Sequence, residues 1–116
     1  MISKELLSEV LNTKVEAFRY VKDKDRKYRK EVCIICDYEG TYDLSPIEIA
    51  NICKEWAENK GYIIFSKNKE CLIYSIDEVY DVIECLNQYE DYFEADTECE
   101  AIFKACEWIL KNKAND

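Results

Sequence analysis

SPIEIANICKEWAENKG at residues 45–61 and DTECEAIFKACEWILKNK at residues 96–113 are two similar segments whose pattern decides the architecture of this chain. Ser45 and Thr97 are each followed three places later by a glutamate, which is the reciprocal capping pattern of a helix N-terminus. Both segments then carry cysteine, tryptophan and small apolar residues and end in Asn-Lys. The two segments therefore predict two helices of the same kind.

The apolar residues of these helices recur at helical spacing, which predicts one buried stripe on each. In the first helix, predicted over residues 46–60, Pro46 suits the first position and Gly61 suits the end. The stripes are Ile49, Ile52, Cys53, Trp56 and Ala57 in the first helix, and Ala101, Ile102, Ala105, Cys106 and Ile109 in the second. Trp108 lies at the margin of its stripe. We expect both helices to lie with these sides on a sheet; an aromatic platform for a ligand is the alternative role for the tryptophans.

The first third of the chain predicts a helix followed by two strands. Residues 3–12 form an opening helix capped by Ser3, and residues 15–21 form a strand with Phe18 and Tyr20 on one face. The charged run over residues 22–30 predicts a hairpin loop. A second strand follows over residues 31–39 and ends at Gly40.

The rest of the chain predicts a second hairpin, a further helix and an edge strand. YIIFS at 62–66 and CLIYS at 71–75 flank the polar turn KNKE and predict paired strands. A capping pattern at Ser75 begins a helix over residues 76–89. The buried stripe of that helix is Val79, Val82, Ile83 and Leu86. DYFEA at 91–95 predicts a short edge strand.

The strands carry apolar residues on both faces, because Val32, Ile34 and Cys36 alternate with Cys33 and Ile35. Sheets with one wet face alternate apolar and polar residues cleanly, so both faces are expected to be covered. The predicted fold is α+β, a mostly antiparallel four- to five-stranded sheet with helices on both faces. This three-layer sandwich has the element order αββαββαβα and forms one domain over residues 1–116. The alternative is that a second copy of the chain covers one face, as a homodimer.

Composition supports a compact fold and excludes several classes of protein. The 116 residues are 48% hydrophobic and 35% charged, with two glycines and one proline, which favours dense regular structure over disorder. No apolar run approaches the 18 to 20 residues that would cross a bilayer, and we find no signal-peptide pattern. The prediction is a cytoplasmic protein with no membrane association.

The residue types present leave little room for catalysis. The chain has no histidine, which excludes Ser-His-Asp and Cys-His pairs and imidazole metal ligands, and it has no glycine-rich phosphate loop. Cys33-x-x-Cys36 has the spacing of a metal or redox site, but residues three apart on a strand face opposite sides. An odd count of seven cysteines favours free core thiols. No catalytic residue, metal ligand or cofactor is predicted.

One carboxylate group keeps an enzyme as the alternative. Asp37 and Glu39 are expected on one strand face, with Asp43 across a turn, near Cys36. Paired carboxylates of this kind can hold a divalent cation or act as a general base. The competing interpretation is a solvated strand end.

Charge is distributed unevenly along the chain. Residues 22–30 carry a net charge of +4, so the remainder carries −13 out of a total of −9. Residues 77–100 contain ten acids and no lysine or arginine, with tyrosines between them. The predicted partner-binding residues in this stretch are Asp81, Glu84, Tyr89, Glu90, Asp91, Tyr92, Glu94 and Asp96. The predicted basic loop is Lys24, Arg26, Lys27, Arg29 and Lys30.

The sequence also resembles a known group of small proteins. FEADTECEAIFKACEWIL looks like the C-terminal motif of the small phage and prophage proteins that share a phage αβα-sandwich domain, and IEIANICKEWAENKGY resembles their central helix. The resemblance covers about residues 31–110, and it has Cys99 where the pattern usually has proline. It implies an origin in a mobile element and a layered fold. It implies no activity, because the family supplies no catalytic motif.

These observations together predict a non-enzymatic phage or prophage accessory protein that binds a host protein. A one-signed acidic field attracts basic partners, and tyrosines are favoured interface anchors. The expected partner is a defence or nucleic-acid-processing enzyme whose basic groove the acidic, tyrosine-rich surface would occlude. Direct nucleic-acid binding by the basic loop is disfavoured by the acidic remainder. Two competing hypotheses are a small-ligand or metal-dependent enzyme near Asp37 and Glu39, and a self-assembling structural protein.

Overall fold

The computed structural model describes residues 2–22, 31–75 and 91–114. The described residues form three helices and six strands, which alternate in small groups along the chain. They are α1 (Lys4–Leu11), β1 (Val15–Lys22), β2 (Glu31–Asp37), β3 (Gly40–Leu44), α2 (Pro46–Asn59), β4 (Tyr62–Lys67), β5 (Glu70–Ser75), β6 (Asp91–Glu94) and α3 (Glu98–Ala114). All five residues of the predicted basic loop and the whole helix predicted over residues 76–89 lie outside the described residues.

The helices begin where the capping patterns predict. The Ser45 hydroxyl accepts a hydrogen bond from the Glu48 N–H at 3.2 Å, and the Glu48 carboxylate accepts one from the Ser45 N–H at 2.8 Å. Ser3 and Thr97 accept the corresponding backbone N–H bonds of α1 and α3, both at 3.1 Å. The predicted helices at both quoted segments and at the N-terminus are therefore confirmed, with their starts set by local hydrogen bonding.

The strands form two separate three-stranded antiparallel sheets. Sheet A has the order β1-β2-β3 and sheet B has the order β4-β5-β6. The predicted α+β class with antiparallel pairing is confirmed, as are the 62–75 hairpin and the edge position of β6. The single sheet of four to five strands between two helical layers is wrong. Successive hairpins usually pair side by side, but here α2 lies between them in sequence and packs with each one separately.

Strand β3 is a further difference, because the sequence predicts that the strand over residues 31–39 ends at Gly40 and predicts no strand between it and α2. Instead Asp37 pairs with Gly40 around a two-residue turn, and the chain continues as a strand to Leu44. Gly40 has φ +145°, a backbone conformation that residues with a Cβ rarely adopt. The segment GTYDL has no buried residue, so hydrophobic alternation does not reveal it.

One hydrophobic core joins both sheets to the helices. Helices α2 and α3 pack on each other, and both also contact sheet B. Ile64, Cys71 and Ile73 supply the inner face of sheet B, while Cys33 and Ile35 supply that of sheet A. All five predicted stripe residues of α3 are buried, as are Ile49, Cys53, Trp56 and Ala57 of α2. The stripes therefore perform the core role that the sequence predicts.

The opposite faces of the sheets are less uniformly covered than predicted. On sheet B, Phe65 is 55% exposed and Tyr92 is 38% exposed, although Tyr74 on the same face is buried beneath an edge-on contact with Phe65. On sheet A, Ile34 and Cys36 are half-buried. No helix within the described ranges is long and apolar enough to cross a membrane.

Candidate interaction surface

Three side chains of the acidic stretch and its neighbouring strand meet on the outward face of sheet B. In the antiparallel pairing of β5 with β6, Glu70 lies opposite Glu94 and Leu72 lies opposite Tyr92. Because side chains alternate along a strand, Glu70, Tyr92 and Glu94 project from the same face. We call this trio the acidic surface. Two carboxylates directly opposite each other in a strand pair repel, so this register works against the stability of the sheet.

The Tyr92 hydroxyl connects the two carboxylates. It donates a hydrogen bond to Glu94 Oε1 and is also within hydrogen-bonding reach of Glu70. The Glu94 bond, partial desolvation and the charge of Glu70 raise the pKa of the Tyr92 phenol well above its usual value. The phenol therefore remains a neutral donor at physiological pH. Its single proton cannot satisfy both acids, so the trio retains acceptor capacity for an incoming cation.

Nearby cations leave the acidic surface largely uncompensated. The Lys104 ammonium donates to the Glu94 backbone carbonyl at 2.8 Å, rather than to its carboxylate. Lys67 lies opposite Glu70 in the β4–β5 hairpin on the same face. Within residues 31–75 and 91–114, neither Glu70 nor Glu94 forms an ion pair shorter than 4.0 Å. The two carboxylates therefore form no close ion pair with these lysines, which offset their charge only at longer range.

The two other predicted partner-binding residues that the structure describes lie apart from the acidic surface. Asp91 is on the opposite pleat of β6, where its carboxylate accepts the Tyr92 N–H at 2.8 Å, and Asp96 is exposed in the turn before α3. Glu98 turns toward β4 and accepts the Ser66 hydroxyl at 2.7 Å. Asp81, Glu84, Tyr89 and Glu90 lie outside the described residues. Sequence reasoning missed Glu70, which the predicted 62–75 hairpin places near the sheet edge but whose contact with Glu94 needs the β5–β6 register.

The ends of the basic loop lie near acidic groups. The strand residues that flank the loop, Lys22 and Glu31, pair with each other. Burial raises the pKa of the nearby Tyr20 phenol, and the negative charges of Glu100 and Glu31 add to the effect. Tyr20 is therefore within electrostatic range of Glu100 in the first turn of α3. Lys24, Arg26, Lys27, Arg29 and Lys30 themselves lie outside the described residues.

The carboxylates of the alternative enzyme site do not come together. Asp37 Oδ1 accepts the N–H groups of Glu39 and Gly40 at 2.8 and 3.2 Å, so Asp37 closes the β2–β3 turn. Glu39 is in that turn rather than on a strand, and Asp43 projects from the opposite face of sheet A. The expectation that Asp37 and Glu39 share one strand face, with Asp43 beside them, is wrong. The part of the chain that the structure describes holds no group of three His, Cys, Asp or Glu residues suited to a metal ion.

The cysteines are consistent with core packing. Cys33, Cys53, Cys71 and Cys106 are buried and free, and Cys36 and Cys99 are half-buried. Burial raises the pKa of the Cys33 thiol to about 11 and that of Cys71 to about 12. Thiols with such pKa values are protonated at neutral pH and are weak nucleophiles. Trp108 likewise packs edge-on against Tyr62, with ring centroids 5.8 Å apart.

Comparisons of this chain with protein-family models, with curated proteins and with solved structures found no match. The resemblance to the phage αβα-sandwich proteins therefore remains a prediction from the two motifs that carry it.

Proposed function

We propose that this protein is a non-enzymatic phage or prophage accessory protein that binds a basic host protein through the acidic surface. The observation that carries the proposal is the Tyr92 hydroxyl held between Glu70 and Glu94 on an exposed sheet face. Helices α2 and α3 serve as the scaffold, packed against the other face of sheet B. The family resemblance supports the phage or prophage origin.

The cross-strand repulsion between Glu70 and Glu94 favours a cationic partner. Opposite charges stabilise such a pair and like charges destabilise it, each by roughly 0.2–1 kcal/mol. An arginine guanidinium placed between the two carboxylates would reverse the sign of this interaction and donate to both. Binding of a basic partner would therefore relieve a repulsion that the free protein tolerates.

Exposed aromatic side chains beside the carboxylates supply the apolar part of the contact. Tyr92 and Phe65 lie on this face and are both exposed. Tyrosine and arginine are enriched among the residues that dominate interface energies, because each combines apolar contact area with hydrogen bonding. The proposed partner is a defence or nucleic-acid-processing enzyme, since its basic groove matches both features. Occupation of that groove would block access for nucleic acid.

The test is capture of partners from a lysate of the native host by the immobilised protein. The informative variant is Glu94→Lys combined with Asp96→Lys, and the matched control is Glu39→Lys combined with Glu5→Lys, which makes the same change in net charge at exposed sites elsewhere. We expect the first variant to lose a captured basic protein by at least about tenfold while the control retains it. Capture by wild type should also weaken steeply above about 0.15 M salt, where the screening length falls below about 8 Å.

Two results would contradict the proposal. One is a captured protein whose affinity for the Glu94→Lys, Asp96→Lys variant equals that for wild type. The other is capture that does not change between 0.05 and about 0.5 M salt, since exposed charge pairs are screened in this range. Circular dichroism of both variants excludes loss of folding as the cause. Light scattering at several concentrations tests the competing hypothesis that the chain assembles with itself.

A further inference from the structure

A second site lies where helices α1 and α2 both end. Their C-terminal turns form a crevice of about 350 Å³, large enough for a small ligand. Its polar lining includes the carboxylates of Glu9 and Glu55 and the amides of Asn12 and Asn59. Trp56, which is only 8% exposed, supplies part of the apolar lining. The acidic surface is on sheet B and shares no residue with this crevice.

The electrostatics of the crevice favour a cation. A helix C-terminus carries a partial negative charge, which basic residues in the last turn usually offset. Neither α1 nor α2 has a basic residue in its last turn. Glu9 lies within the last turn of α1 and Glu55 lies just before that of α2, where both add to the negative potential. Two helix ends and two carboxylates therefore converge on one opening.

The crevice already holds one cation from the chain itself. Lys60, the C-cap residue of α2, places its ammonium 3.6 Å from Glu9 Oε1. Both side chains of this pair are exposed, and such pairs contribute little to stability. Lys60 therefore competes weakly for Glu9. Glu55 forms no ion pair shorter than 4.0 Å with any other residue in the described ranges.

The apolar part of the lining suits the stem of an organic cation. Val10, Ile52 and Trp56 line the crevice. An aromatic face attracts an ammonium or guanidinium group, and the attraction grows as the cation loses water. An alkali or divalent metal ion would leave these apolar surfaces unused. The lining as a whole fits a charged group carried on a short aliphatic chain.

We propose that this crevice binds an alkylammonium or alkylguanidinium group, with the cation between Glu9 and Glu55 and its stem against Trp56. The group has two possible sources, a free small amine or the side chain of a lysine or arginine in a peptide. The proposal is independent of the proposed function, because it concerns α1 and α2 and makes no use of Glu70, Tyr92 or Glu94.

The test is titration with agmatine, which carries a guanidinium and an ammonium on a four-carbon stem, followed by tryptophan fluorescence. Trp108→Phe leaves Trp56 as the only tryptophan. We expect saturable changes in emission with a dissociation constant on the order of 1 mM, typical for so small a ligand. Butylurea, a neutral analogue, should bind at least about tenfold more weakly. Calorimetry of the wild-type protein provides a second measurement that does not depend on Trp108→Phe.

Matched variants identify the residues responsible. Glu55→Gln should weaken agmatine binding about fivefold, whereas Glu58→Gln, an equal charge change on α2 outside the crevice, should leave it unchanged. Lys60→Gln should strengthen binding about threefold, because it removes the competing cation from Glu9. Acetylarginine methylamide distinguishes the sources: tighter binding than agmatine assigns the site to a peptide side chain, and weaker binding assigns it to a free amine. Absence of saturable binding by both ligands, equal binding of butylurea, or equal effects of Glu55→Gln and Glu58→Gln would overturn the proposal.

Discussion

Ile73 and Leu72 are neighbours on β5 that project from opposite faces of sheet B, so their replacement by alanine measures how each face is covered. Ile73 is completely buried against the helices, and its cross-strand partner is Ile64. Leu72 is half-buried between Phe65 and Tyr92. Ile73→Ala removes three buried carbons, worth about 0.8 kcal/mol each in transfer energy, and leaves a cavity. We expect it to cost about 3–4 kcal/mol.

Leu72→Ala removes the same number of carbons from a partly exposed position and leaves a gap open toward solvent. We therefore expect it to cost about 1–2 kcal/mol, roughly half of the cost at Ile73. Urea-induced unfolding followed by circular dichroism measures both. A chain of this length has a free energy of unfolding of about 6–17 kcal/mol, so both variants should remain folded.

Equal losses at the two positions would refute the reasoning. The predicted three-layer sandwich, with both sheet faces buried by helices, requires losses that agree within about 0.5 kcal/mol. Two sheets that each pack one face on the helices require the larger loss at Ile73. A change in the slope of the unfolding free energy against urea concentration would show that one variant altered the unfolded state rather than the packing. Ile73→Val, which we expect to cost about 1 kcal/mol, then serves as the conservative check.

Three further outcomes follow from the helix caps, the buried thiols and the acidic surface. Ser45→Ala and Thr97→Ala should each lower the free energy of unfolding by about 1 kcal/mol, because each removes the hydroxyl that caps a helix. Losses below about 0.3 kcal/mol for both variants in urea titrations would contradict the capping geometry. Burial raises the pKa of the Cys71 thiol to about 12, so the native state holds this proton more tightly than the unfolded chain does. The stability that the thiol proton contributes is therefore complete below about pH 9 and is lost as the pH rises toward 12. The Cys71→Ala variant should consequently show a flatter pH dependence of the free energy of unfolding than wild type. The Cys71 thiol should also react slowly with a thiol reagent in the native protein at pH 8 and quickly in urea, and its rapid reaction in the native state would show that it is accessible. Glu94→Gln, whose amide oxygen still accepts the Tyr92 hydroxyl bond, should stabilise the isolated protein at low salt by about 0.2–1 kcal/mol, because it removes the repulsion across β5 and β6, and this gain should disappear in about 1 M salt; a destabilised variant would show that the carboxylate pair is not repulsive.

The hairpin of sheet A illustrates why part of the candidate site is predictable and part is not. The sequence correctly indicates that Asp37 is a polar residue at the end of a strand, but its carboxylate binds backbone N–H groups of the following turn. Its distance from Asp43 depends on the pairing register, because each step along the strand moves a side chain to the other face. No pattern in the segment GTYDL reveals that register. The predicted grouping of the three carboxylates is consequently wrong.

The sequence alone, through local chemistry, determined the starts of the three helices, the buried stripes of α2 and α3, the β4–β5 hairpin and the free thiols of the core. Each depends on residues close together in the chain, where capping hydrogen bonds and hydrophobic periodicity act directly. Only the tertiary structure decided that the strands form two sheets, that Glu70 meets Glu94 beside Tyr92, and that α1 and α2 end at one crevice. These arrangements join segments distant in sequence, and their energies come from how the helices pack between hairpins rather than from any local pattern.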